Sequence, residues 1–114
     1  MRKPAVARMW QGRTRTSMAD SYEKYLYQEG VRKLRGTPGN LGVQVFRETQ
    51  DWITRFVTIS YWSSRDEITA YAGSDIGKPH HLPKDPEYLL ELPEAVTHFD
   101  VLVDEWSDAA TAPA

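Results

Sequence analysis

The residues best suited to chemistry sit in one stretch, TISYWSSRDEITAYAGSDIGKPHHLPKDPEYLLEL, spanning positions 58–92. It carries the pair Tyr61-Trp62, then Tyr71, then the adjacent His80 and His81; His98 follows alone. Aromatic rings stack on flat ligands. An imidazole titrates near neutral pH and can act as a general base. Placed around one end of a sheet, these groups would receive a small flat molecule. Each also has a plainer role. Trp62 can pack a helix onto the sheet, His80 and His81 can be exposed loop residues beside Pro79, and His98 can bond a backbone carbonyl.

His98 alternates with Phe99, so the two occupy opposite faces of a strand. If Phe99, Val101 and Val103 face one layer, Val96, His98, Asp100 and Leu102 face the other. Arg8, Arg47 and Arg55 fall on or beside predicted strands. A buried arginine would hold an acidic or quinone oxygen through its planar fork, whereas an exposed one is a rim charge. Tyr22 and Tyr25 share a helical face and read as core. Glu87, Glu91 and Glu94 read as a solvated acidic face. No His or carboxylate cluster has metal-ligand spacing, so no metal is expected.

These groups need a scaffold, and 114 residues allow a single domain. A chain of this size buries about 65% of its unfolded surface, enough to fold alone with little stability to spare. The balance of 14 basic and 16 acidic side chains leaves a net charge of −2. The basic residues Arg2, Lys3, Arg8, Arg13 and Arg15 are too thinly spread for a nucleic-acid surface. Absence of cysteine removes disulfides, thiolate nucleophiles and Cys-ligated zinc. No apolar run reaches the ~20 residues of a membrane span, and the N-terminus lacks the apolar segment of a signal peptide. A cytoplasmic protein is expected.

Residues 5–10 (AVARMW) form the first predicted strand, bounded by Pro4 and Gly12. Thr16 and Ser17 cap an amphipathic helix whose apolar stripe is Met18, Tyr22, Tyr25, Leu26 and Leu34. Gly30 predicts a bend or early end, at about 1 kcal/mol against alanine. The run 36–40 (GTPGN) stops the helix. Strands at 42–48 and 53–61 form a hairpin. Ser64 and Glu67 match a capping box opening a second helix through Ile68 and Tyr71. Asp85-Pro86 starts a short turn with proline at the first helical position. Residues 95–103 (AVTHFDVLV) make the last strand. Residues 107–114 read as a disordered tail, leaving 1–106 as the domain.

The order β-α-β-β-α-β predicts an α+β, ferredoxin-like domain with a four-stranded antiparallel sheet. Helices cover one sheet face. The other is expected to carry apolar residues such as Val43 and Val45, or Phe99, Val101 and Val103, a patch that pairing would cover. A homodimer with a β-barrel between subunits is therefore expected.

From position 5 to 103 the chain resembles the antibiotic biosynthesis monooxygenase family. The resemblance lies in ARMWQGRT, GTPGNLGVQVFRE, ISYWSSRDEITAYAGSDI and EYLLELPEAVTHFDVLV, in that order and spacing. It implies a dimeric α+β barrel. Some members oxidise aromatic polyketides with O2 and no metal or flavin, others bind and degrade haem in the same cleft, and some are binding proteins. A strand-end Trp orients a substrate phenol in the oxygenases, which points to Trp62. The haem-degrading members carry a helical histidine ten residues after a Trp. Here Tyr71 stands in the Trp position and His81 in the histidine position, while Pro79 interrupts the helix and Arg8-Met9-Trp10 replaces a first-strand Asn.

The leading expectation is a small dimeric oxygenase acting on an aromatic or polycyclic metabolite without a tightly bound cofactor. His98 would be the base and Trp62 a catalytic-site wall, with Tyr71, His80, His81 and Arg8 binding the substrate. The alternatives are a haem-degrading enzyme with His81 on iron and a non-catalytic barrel that binds a small hydrophobic ligand. Neither nucleic acid nor membrane is an expected partner.

Overall fold

In this computed structural model, residues 3–111 are described; Arg2 and the end of the expected tail lie outside them. Strand β1 (Val6–Arg15) leads through a 3-10 turn (Thr16–Met18) into helix α1 (Ala19–Tyr25). The helix widens into a π-turn (Leu26–Val31) and resumes as α2 (Arg32–Arg35). Strands β2 (Asn40–Gln50) and β3 (Ile53–Trp62) form the hairpin. Two short helices, α3 (Thr69–Ala72) and α4 (Asp85–Tyr88), precede β4 (Thr97–Asp100). One helical turn, α5 (Asp108–Thr111), ends the described chain. The antiparallel sheet runs β2-β3-β1-β4, the ferredoxin-like order. No helix among the described residues is long and apolar enough to cross a membrane.

Alternation decides the two sheet faces. On β3, Thr54, Phe56, Thr58, Ser60 and Trp62 are buried beneath the helices, and Ile53, Val57, Ile59 and Tyr61 are half-buried on the outer face. Val43 pairs with Ser60 and Val45 with Thr58. Directly opposed residues share a face, so both valines lie on the helix side, contrary to the outward placement expected from sequence. The outer face instead holds Phe46, paired with Val57, and Phe99, paired with Ala7.

Other local expectations shift for identifiable reasons. β1 runs to Arg15 because buried Gly12 and Thr14 alternate with exposed Gln11 and Arg13, a half-buried pattern lacking aliphatic residues. Gly30 widens the helix instead of ending it; a Cβ there would come 3.1 Å from Leu26 and 3.4 Å from Leu82. Thr16 does not cap: its hydroxyl donates to the Asp51 carbonyl at 3.1 Å, tying helix entry to the hairpin turn. The Ser–Glu pair lies one residue earlier than predicted, with Ser63 donating to Glu67 and no side-chain cap on the following turn. β4 is short because its partner β1 begins at Val6, which faces Asp100; one further bond, Val101 N–H to Ala5 O (2.8 Å), ends the pairing.

Two apolar clusters fill the space under the helices. One gathers Ala19, Tyr22, Leu26, Phe56, Leu82 and Leu89; the other gathers Val6, Leu34, Trp62 and Ile68. Tyr22 meets Phe56 edge-on, with ring centroids 5.2 Å apart. Gly12 makes room for a third ring: a Cβ there would stand 2.5 Å from the Trp10 indole and 3.1 Å from Leu89. Gly12→Ala therefore displaces that indole and is expected to cost about 1–3 kcal/mol by overpacking. Urea unfolding should show a lower midpoint with unchanged slope; a wild-type midpoint would mean that Trp10 swings aside freely.

Candidate functional site

Between the two clusters the helix face of the sheet borders a cleft. Arg8, Trp10, Thr58 and Ser60 form its floor, and Tyr22, Leu26, Gly30 and Leu34 its helical wall. Tyr71, His80, Leu82 and Asp85 close it from the connection between α3 and α4. The cavity measures about 40 Å³. That admits water but not an aromatic ligand, which needs several hundred Å³. The 73–84 segment must move for a ligand to enter.

Arg8 holds that segment down. Its guanidinium donates to the carbonyls of Ile76 and Lys78, the latter at 3.0 Å, and lies 3.1 Å from His98 Nε2. It also sits 6.0 Å from the centre of the Tyr71 ring. Because arginine only donates, His98 Nε2 must accept, which fixes a neutral imidazole protonated at Nδ1. Burial pushes the His98 pKa down, and the charges of Arg8 and Arg65 lower it further. Arg8 is itself 4% exposed, and burial lowers its pKa from the usual arginine value.

Above it, Tyr71 packs on His80 with ring centroids 4.8 Å apart. Lys33 Nζ lies 2.6 Å from His80 Nε2 and 5.7 Å from the Tyr71 ring centre. Burial pushes the Tyr71 phenol up to about 12, with Arg8 pulling the other way, so it stays protonated at physiological pH. His80 is pushed down by burial first, then by Lys33, Arg8 and His81. Asp85 accepts from the Tyr22 hydroxyl (3.0 Å) and the Leu82 N–H (2.9 Å). Burial raises its pKa, and those hydrogen bonds oppose the shift.

Of the residues singled out in the sequence, Arg8, Tyr71 and His80 meet at this cleft. Trp62 is fully buried in the second cluster and donates its indole N–H to Ser60 Oγ at 2.9 Å, so it stands behind the floor. His98 reaches the cleft only through Arg8. His81 is exposed on the connecting segment. For haem, an imidazole would have to face the cleft with a free nitrogen. In the closed arrangement His81 does not line the cleft, His80 Nε2 is engaged by Lys33, and a cavity of about 40 Å³ has no room for a porphyrin, so the closed cleft does not fit the group. Among the described residues no cluster of His, Cys, Asp and Glu could hold a metal ion. Sequence reading missed Trp10, Tyr22, Thr58, Asp85 and Lys33 as cleft residues. Only Trp10 carried a signal, two positions from Arg8 on the same strand face.

The two depressed imidazoles give stability a definite pH dependence. Unfolded histidines take up protons near 6.5, whereas folded His80 and His98 resist until lower pH. Their contribution is complete above about 6.5 and is lost as pH falls toward the folded values. Melting temperature should decline between pH 7 and 5.5, and less steeply in the His80→Gln/His98→Gln double variant. Parallel wild-type and variant curves would contradict this assignment.

A Nitrosomonas europaea protein, a candidate antibiotic biosynthesis monooxygenase, superposes with a TM-score of 0.65 at 16% identity, covering 90% of this chain and 95% of that one. The heme-degrader MhuD of Mycobacterium tuberculosis, with two hemes bound in its active site, gives 0.60 at 18% identity, covering 89% and 99%. A monooxygenase from the gene ActVA-Orf6 of Streptomyces coelicolor, in complex with nanaomycin D, gives 0.59 at 14% identity, covering 92% and 94%. At these identities the likeness shows a shared fold. No curated protein matches the chain in sequence. The profile of one family, antibiotic biosynthesis monooxygenase, does match it over residues 11–82. Since that is more than half of the chain, from β1 to the cleft segment, the protein belongs to the antibiotic biosynthesis monooxygenase family.

Proposed function

We propose that the protein is a small dimeric oxygenase that oxidises a phenolic aromatic or polycyclic metabolite with O2 and no tightly bound cofactor. The observation that carries this reading is an aromatic-walled cleft, with Trp10, Tyr22 and Tyr71, containing a neutral imidazole at His80. Family membership agrees with it, and the Streptomyces coelicolor relative binds nanaomycin D.

The chemistry needs only a proton acceptor and O2. His80 takes the phenol proton at Nε2, which the flexible Lys33 side chain yields as the ligand enters. The phenolate passes one electron to O2, giving a phenoxyl radical and superoxide. These combine at the para carbon, forming a C–O bond and, after protonation, a hydroperoxide. The carbon then loses its proton, the O–O bond breaks, and hydroxide leaves as water, so phenol and O2 become quinone and water. Tyr71 keeps its proton and can donate to the reduced oxygen. His98, the base favoured by sequence alone, instead orients Arg8 through the lone pair it would need for catalysis. Trp62 backs the floor through Ser60.

Dimerisation would bury the outer sheet face, where Phe46 and Phe99 are 47% and 48% exposed beside Val57, Ile59 and Tyr61. Light scattering should give twice the 13.1 kDa chain mass, reduced to a monomer by Ile59→Glu. A wild-type monomer at micromolar concentration would refute the pairing.

Oxygen uptake with a panel of phenolic bi- and tricycles tests the chemistry. One or more should consume one O2 per quinone formed, and His80→Gln should lower kcat/KM by about 10²–10⁴-fold, the range for loss of a general base. Binding without O2 uptake would make the protein a ligand-binding barrel.

A further inference from the structure

Arg8 is a buried cation whose hydrogen bonds all go to neutral acceptors: two loop carbonyls and one imidazole. No described carboxylate lies within ion-pair distance of it. Buried charges are ordinarily paired, because an unpaired one carries its full desolvation cost. On the adjoining strand, Thr58 is 6% exposed and faces the same cleft, yet its Oγ1 has no hydrogen-bond partner in the protein. Pairing of Arg8 with Ser60 and of Trp10 with Thr58 makes Arg8 and Thr58 diagonal neighbours on one sheet face. A cation without an anion and a hydroxyl without a partner therefore adjoin on one cleft floor.

The surroundings have the same sign. Lys33 stands at the rim, also without a described carboxylate at ion-pair distance. The one carboxylate lining the cleft, Asp85, is occupied by the Tyr22 hydroxyl and the Leu82 N–H.

We propose that the cleft selects aromatic ligands carrying an ionised oxygen, a carboxylate or a phenolate, seated between the Arg8 guanidinium and the Thr58 hydroxyl. This deepens the oxygenase reading and rests on the cleft being the ligand site. In taking the anion, Arg8 exchanges the Ile76 and Lys78 carbonyls for it. The contact that shuts the small cavity is released by the ligand that needs the space. A phenolate held this way is also the electron-rich form that reacts with O2.

Calorimetric titration of the intact protein at pH 7.5 tests the assignment. The probes are 2-naphthoate against neutral 2-naphthamide, and 4-nitro-1-naphthol, which ionises near neutrality, against its methyl ether. Each anion should bind at least tenfold tighter than its neutral counterpart, and the better pair identifies which ionised oxygen fits. Arg8→Met should abolish the preference, as loss of a charged hydrogen bond weakens binding about 10- to 100-fold.

Thr58→Val supplies a variant that does not depend on Arg8→Met folding. It should weaken binding of the preferred anion about tenfold and leave the neutral probe unchanged. It should also melt higher than wild type, because an unpartnered buried hydroxyl is replaced by a methyl of similar shape. Equal binding of anion and neutral probe, or a lower melting temperature for Thr58→Val, overturns the anion subsite while leaving the cleft in place. Failure of all four probes to bind overturns both.

Discussion

The arrangement of the site depends on one buried guanidinium. Placing Arg8 on the helix face of β1 removes a permanent charge from water, a cost of several kcal/mol unless the surroundings compensate. Compensation here comes from elements far apart in the chain. His98 on β4 accepts one bond, and the carbonyls of Ile76 and Lys78 accept the others. Those requirements shape the neighbourhood. His98 must be neutral with its proton on Nδ1, and the α3–α4 connection must fold down far enough to present backbone oxygens. Tyr71 is thereby brought over the cation and His80 against Tyr71.

A second anchor works by the opposite logic. Asp85 is buried but satisfied, with Tyr22 and the Leu82 N–H on its two oxygens. It ties the far end of the same connection to α1, while Tyr25 accepts from the Lys84 N–H at 2.8 Å. The connection is thus fixed at 82–85 by buried groups, and held at 76–78 by Arg8, by the Val96 N–H on the Gly77 carbonyl (3.1 Å) and by Ile76 packing on the second cluster. Pro79, between the two, rules out a continuous helix that would make the whole segment rigid. Any opening should begin at the Arg8 end, where a competing acceptor can replace the carbonyls, and not at the Asp85 end, where opening would strand a buried carboxylate.

Much of this was legible in the sequence where the signal is local. Alternation, turn residues and the apolar helix stripe yield the order of elements, and Gly30 marks the helix irregularity. What was not legible depends on pairing between distant residues. Tyr22 and Asp85 are 63 positions apart, and Arg8 and His98 are 90 apart. Neither member of these pairs announces its partner. The face of a strand is equally hidden when both faces are mixed. Val43 and Val45 look like outward residues until the register sets them opposite Ser60 and Thr58, and a shift of one position would reverse every assignment. Thr58 itself resembles any β-branched strand residue.

The two sheet faces divide labour in an unusual way. In a domain built only for stability, the face under the helices would be aliphatic and the open face polar. Here the covered face carries Arg8, Thr14, Thr54, Thr58 and Ser60, all buried. Thr54 is satisfied by Thr16 and Thr49 at 3.1 and 2.9 Å, and Ser60 by Trp62. Thr14 and Thr58 are not. The outer face carries Met9, Phe46, Val57, Ile59 and Phe99. Polar groups buried at a cost of about 1–3 kcal/mol each when unpartnered persist where function maintains them. On the proposed reading the two surfaces are tied together: buried polar groups kept among Val6, Phe56 and Trp62 for a ligand would weaken the single subunit, and the apolar residues of the open face would offer burial to a second subunit.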